Sequence, residues 1–123
     1  MMANERTSVI KIGKKEYELL LTTRATREIG EKFGGLDKVG TKLSEAKDAS
    51  ESLSLVVWLV VLLANQTILR PNLETGESKP VLTEEQVEIL TSPADLNSYA
   101  DAILECLVRG TKRDVKGEED PKK

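Results

Sequence analysis

A mainly α fold, in which a small helical domain carries an N-terminal β-hairpin and a buried central helix, follows from three features of this sequence. Alternating residues flank a Gly-Lys pair near the start, and Ala25, Ile29 and Phe33 then recur at four-residue spacing. Between Leu53 and Ala64 every residue but Ser54 is apolar.

The chain's 123 residues, 39% of them hydrophobic, can fill one core but hardly two, which predicts a single domain over residues 1–110. Charged residues make up 32%, with 18 basic against 21 acidic and a net charge of -3. Bulk charge therefore sets no trap for polyanions, and no nucleic-acid partner is expected. The first 47 residues lean basic and residues 70–105 lean acidic, so one side of the fold is expected to be acidic. Cys106 is the single cysteine, which rules out an intrachain disulfide and fits a cytoplasmic setting. The strongest apolar run, Leu55 to Ala64, falls well short of the roughly 20 residues that span a bilayer, and no membrane partner is expected.

Residues 8–21 predict the hairpin. Gly13-Lys14 suits a type II′ turn, whose first central position needs positive φ. That register sets Ile10 opposite Tyr17 and Lys11 opposite Glu16, an apolar pair on one face and an ion pair on the other. A lone hairpin is marginal in water, so it must dock on helices or extend another sheet. Thr22 and Thr23 can cap a helix that runs to Phe33, and Gly34-Gly35 can end it. Leu36, Val39 and Leu43 mark a second short helical stretch.

Residues 44–52 are polar and act as a connector in which Ser50 or Ser52 is the candidate cap. A helix over Leu53 to Ala64 is apolar nearly all round and must be surrounded by other elements or by another chain, which points to self-association. A buried strand is the competing reading of so β-rich a run, and its length together with Asn65-Gln66 favours the helix. Pro71, Gly76 and Pro80 predict a long exposed loop over 67–82. Thr83-Glu84-Glu85-Gln86 has the capping-box pattern, and Ser92-Pro93 pairs a cap with a proline at the first helical position. The helix after Ser92 carries Leu96, Tyr99, Ala100, Ile103, Leu104, Leu107 and Val108 on one stripe and is expected to pack along the central helix and end at Gly110. Residues 111–123 are charged, which predicts a disordered tail.

The chain has no histidine, which removes the commonest general base and excludes a Ser-His-Asp triad. One cysteine cannot build a zinc knuckle, and inside the last amphipathic stripe Cys106 reads as a structural thiol. The glycines form neither a GxxxxGK[ST] nor a GxGxxG pattern, and Glu84-Glu85 and Glu118-Glu119-Asp120 lack the alternation of a calcium loop. With one Trp, two Tyr and one Phe there is little for bases to stack on. No catalytic, metal or cofactor site is expected, and an interaction protein is the reading that remains. Phe33, Leu36, Val39, Leu43 and Trp58, apolar residues beside glycine-hinged short helices, are the candidate partner contacts.

The stretch Leu19-Leu20-Leu21-Thr22-Thr23-Arg24-Ala25, the stretch Ile29-Gly30-Glu31-Lys32-Phe33-Gly34-Gly35-Leu36, and Trp58-Leu59-Val60-Val61-Leu62-Leu63-Ala64-Asn65-Gln66 together resemble the tail assembly chaperones of long-tailed bacteriophages and prophages. The likeness covers about residues 16–66. It implies a non-enzymatic protein of the host cytoplasm that coats the tape-measure protein while tail-tube subunits polymerise, and that is absent from the mature virion. In that family a frameshift-extended product recruits the tail-tube protein, and the segment after Gly110 is where such an extension would join. A structural tail-completion or connector component of the particle, and a small helical regulatory DNA-binding protein, are the alternatives. The latter would need a basic face.

Overall fold

The computed structural model describes residues 7–117. Two strands, β1 (Thr7–Ile12) and β2 (Lys15–Leu20), form an antiparallel hairpin, and five helices follow. These are α1 (Thr23–Phe33), α2 (Val39–Ser44) after a 3-10 turn at Leu36–Lys38, α3 (Ala49–Thr75), α4 (Glu84–Leu90) and α5 (Pro93–Gly117).

The hairpin has the expected register, Ile10 with Tyr17 and Lys11 with Glu16. Gly13 sits at φ +62° and Lys14 does not have positive φ, as a type II′ turn requires. Among the described residues no ion pair joins Lys11 to Glu16, so the register rests on the buried face. Ser8, Ile10 and Ile12 point inward from β1, and Leu19 from β2. The hairpin docks on both long helices, β2 against α3 and β1 against α5.

Hydroxyl groups fasten each edge. The strand carbonyls of Lys11 and Glu18 point away from the hairpin's own ladder and would be orphaned on burial. The Tyr99 hydroxyl donates to the Lys11 carbonyl, and Thr67 Oγ1 donates to the Glu18 carbonyl at 3.1 Å. Ser8 Oγ, itself buried, donates to the Ala102 carbonyl at 2.8 Å.

α1 buries Ala25, Ile29 and Phe33, the spacing that predicted it. Thr22 Oγ1 caps it by accepting from the Ala25 amide at 3.1 Å, and the same hydroxyl donates to Gln66 Oε1 at 2.6 Å. One side chain thus starts α1 and ties it to α3. Gln66 is buried, and it is satisfied at its other end by donating Nε2 to the Leu62 carbonyl. Gly34 closes α1 in the left-handed conformation at φ +93°.

Three boundaries differ from the sequence reading. The cap of α3 is Asp48 rather than Ser50 or Ser52: its carboxylate accepts from the Glu51 amide at 2.9 Å, and Glu51 Oε1 accepts from the Lys47 amide at 2.7 Å. Aspartate serves as well as serine at this position, and the negative charge at the helix start favours it further.

The second difference is length. α3 does not stop near Gln66 but runs through Pro71 to Thr75, where Gly76 at φ +79° caps it. The expected loop over 67–82 shrinks to the segment between Thr75 and Glu84. Pro71 removes one helical hydrogen bond, at a cost of roughly 3 kcal/mol in a helix interior. Two asparagines on one side of the helix, two turns apart, offset it. Asn65 donates to the Leu82 carbonyl and accepts from the Leu82 amide, and Asn72 does the same with Lys79. Their amides act as surrogate peptide groups that strap the extended 79–82 segment back along α3, with Leu82 buried beneath it. The full 27-residue helix is also, by length and composition alone, apolar enough to cross a membrane, which the ten-residue run did not foretell. In this structure it forms the core of the fold, burying Val56, Val57, Leu59, Val60, Leu63 and Ala64.

The third difference lies in α5, which passes through Gly110 and continues to Gly117. Gly110 is there for close approach: a Cβ on it would stand 2.7 Å from Leu21 Cβ and 2.8 Å from Leu21 Cδ2. The expected disordered tail is therefore helical over 111–117, and its last six residues, 118–123, lie outside the described residues. α4 and α5 begin as expected, on the Thr83–Gln86 capping box and on the reciprocal Ser92–Asp95 pair ahead of Pro93. α5 packs along both α3 and β1, burying Leu96, Tyr99, Ile103, Cys106 and Leu107.

Candidate functional site: the outer face of α3

A helix apolar on every side needs cover on every side, and this chain covers only part of α3. Leu59, Val60, Leu63 and Ala64 are enclosed by β2, α5 and α1. The opposite side carries Leu55, Trp58, Leu62, Asn65, Leu69 and Asn72, all half-buried. Their alternating three- and four-residue steps are the spacing of a coiled-coil seam, and Asn65 and Asn72 supply its strap-facing edge.

The seam forms the floor of a shallow trough of about 190 Å³, which α3 lines with Trp58, Val61, Leu62 and Leu69 and with the polar Asn65 and Gln66. One wall is α1, where Arg24, Glu28 and Lys32 stand one turn apart; the other is the start of α4, at Glu84. Arg24 Nε holds Glu28 Oε2 at 3.3 Å on the exposed wall, a pair worth little in water. Lys32 Nζ lies 5.0 Å from the centre of the Trp58 ring, a cation over an aromatic face. Glu88, one turn beyond Glu84, stands with Ser50 and Ser54 over the earlier part of the helix. A separate groove, of about 320 Å³, is lined by Phe33, Leu55, Lys42 and Lys47.

The five candidate contacts separate on this geometry. Trp58 lies in the trough wall-to-wall with Lys32, and Phe33 backs it, the two ring centroids being 6.1 Å apart at 51°. Phe33 at 4% exposure and Val39 at 0% are buried in the core, and of the two it is Phe33 that stands against Trp58. Leu36 and Leu43 are half-buried against the core and do not line the trough. The sequence reading did not pick out Val61, Leu62 and Leu69, because it weighed apolar character and not the side of α3 on which each residue falls. The signal was the 3-4 spacing of Asn65 and Asn72 with Leu55, Trp58, Leu62 and Leu69, which identifies the face that is not wholly apolar.

Cys106 lies buried in α5, and burial pushes its thiol up to about 12, which holds it in the unreactive protonated form. Among the described residues no group of three or more His, Cys, Asp or Glu side chains is placed to hold a metal ion. No family model matches this chain, and no curated protein or solved structure matches it either.

Proposed function

We propose that this protein is a helix-holding chaperone of phage tail assembly, which binds the tape-measure protein in the host cytoplasm and keeps it soluble while tail-tube subunits assemble around it. The observation that carries the reading is the open apolar face of α3, with Trp58, Leu62 and Leu69 on its floor. An amphipathic helix presents an apolar stripe at the same 3-4 spacing, and laying such a stripe in a groove is a general mode of recognition. The resemblance of residues 16–66 to tail assembly chaperones supplies the identity of the client. In this reading the protein carries no catalytic residue and no cofactor, and the frameshift-extended form that the family uses to recruit tail-tube protein would continue from the end of α5.

Co-expression with the tape-measure candidate encoded nearest to this chain tests it. The expected result is a soluble complex recovered in fixed stoichiometry from a client that is insoluble alone, with the complex lost on Leu62→Ser. A folded protein that leaves the client insoluble overturns the reading. Mass spectrometry of finished particles separates the main alternative, since a tail-completion or connector subunit persists in the virion and a chaperone does not.

A further inference from the structure

We infer that, in the absence of any other partner, the trough is closed by the trough of a second copy in a parallel two-fold dimer. An apolar floor with Trp58 half-exposed at its centre has the makeup of an interface core, a large aromatic anchor amid aliphatic residues. The flanking charges then decide the orientation.

α1 and α4 both run back along α3. Thr22, at the start of α1, bonds Gln66, and Phe33, at its end, meets Trp58 and Leu55. The strap holds Leu82, just before α4, at Asn65, and Glu88 reaches the level of Ser54. Arg24 and Glu84 are therefore level on opposite walls, and so are Lys32 and Glu88, nearer the start of α3.

Two face-to-face arrangements obey two-fold symmetry. If the two α3 helices run antiparallel, each wall meets its own kind: α1 faces α1, bringing Arg24 against Lys32, and α4 faces α4, bringing Glu84 against Glu88. If they run parallel, the α1 wall of each copy meets the α4 wall of the other, and Arg24 faces Glu84 while Lys32 faces Glu88. Like charges across an interface are repelled and opposite charges fix the register, so the arrangement of walls selects the parallel form. Glu28 sits between the two basic residues and is already engaged by Arg24.

Light scattering on a concentration series of the isolated chain tests this without any client. The expected mass is twice the 13.6 kDa of one chain at the top of the series. Arg24→Glu with Lys32→Glu, and separately Glu84→Lys with Glu88→Lys, are each expected to halve it by making both walls alike, while circular dichroism stays that of the folded protein. Combining all four substitutions is expected to restore the dimer, because the walls are again opposite. A wild-type chain that stays monomeric overturns the inference. So does a dimer that survives both wall variants, since an antiparallel pair gains no new repulsion from either. Client binding is read separately, so failure here and failure of the chaperone reading are distinct results.

Discussion

The two sides of α3 both carry leucine and end in opposite states. Leu62 and Leu63 are neighbours in sequence, yet Leu63 is sealed in the core and Leu62 lies half-open on the trough floor. On the inner side every exposed possibility has been closed: hydroxyls from Thr67 and Tyr99 satisfy the strand edges, and Gly110 lets α5 come down on Leu21. On the outer side, α1 and the strap stand apart and leave a channel. Apolar composition sets how much surface must be covered; the covering elements set which surface is left for something else. Among the described residues one stripe of α3 is left half-open, while Ile89 and Leu90 of α4 and Val108 of α5 are more exposed apolar side chains outside it.

The contrast can be broken most severely from the inside. Leu59→Ala or Leu63→Ala deletes fully buried methyl groups, and a loss of about 2–5 kcal/mol is expected in denaturant unfolding, a large part of the stability of a small domain. Gly110→Val, which drives a side chain into Leu21, is expected to cost about 1–3 kcal/mol, with partial recovery when Leu21→Ala is added. If Gly110 merely ended the helix, as its position in the sequence reads, that recovery would be missing. Asn65→Ala leaves the amide and carbonyl of Leu82 without their partner and is expected to cost about 1–3 kcal/mol, with faster hydrogen exchange at Leu82 as its signature. An unchanged exchange rate there would mean that the strap is held by something other than Asn65.

How much of this was legible in the sequence depends on whether the cause was local. Gly13 with alternating neighbours, Thr22 ahead of the Ala25-Ile29-Phe33 spacing, and the Thr83–Gln86 box each encode their element within a few residues, and each element is present where it was expected. The end of α3 was not legible, because Pro71 and Gly76 read as a loop unless it is known that Asn65 and Asn72 grip a strap arriving from residues 79–82. Gly110 was read as punctuation for the same reason: the need for a missing Cβ lies in Leu21, far along the chain. The five candidate contacts were all chosen for apolar character beside short helices, and of these Trp58 lines the trough while Val39 is fully buried. Apolar character alone does not separate a contact from a core position.

A smaller effect sharpens the inner side. Burial holds the Cys106 thiol above its ordinary value of 9.0, so its contribution to stability is complete below pH 9 and is lost as pH rises toward about 12, where the unfolded chain ionises first. Cys106→Val is expected to flatten the alkaline limb of a thermal-melting profile. In the wild-type protein, alkylation of Cys106 should proceed only as fast as α5 opens. Rapid native-state labelling would show the inner side to be less closed than its packing implies.

The most direct measurement sets Leu62→Ser beside Leu63→Ser, adjacent residues given the same substitution, with the melting temperature and the partner-bound mass read for both. Leu63→Ser is expected to lower the melting temperature strongly, whereas Leu62→Ser should melt close to wild type and lose its partner, whether a second copy or a helical client. Equal destabilisation by the two substitutions, or a Leu62→Ser protein that associates as the wild type does, would contradict the assignment of the outer face of α3 as a surface kept open for binding.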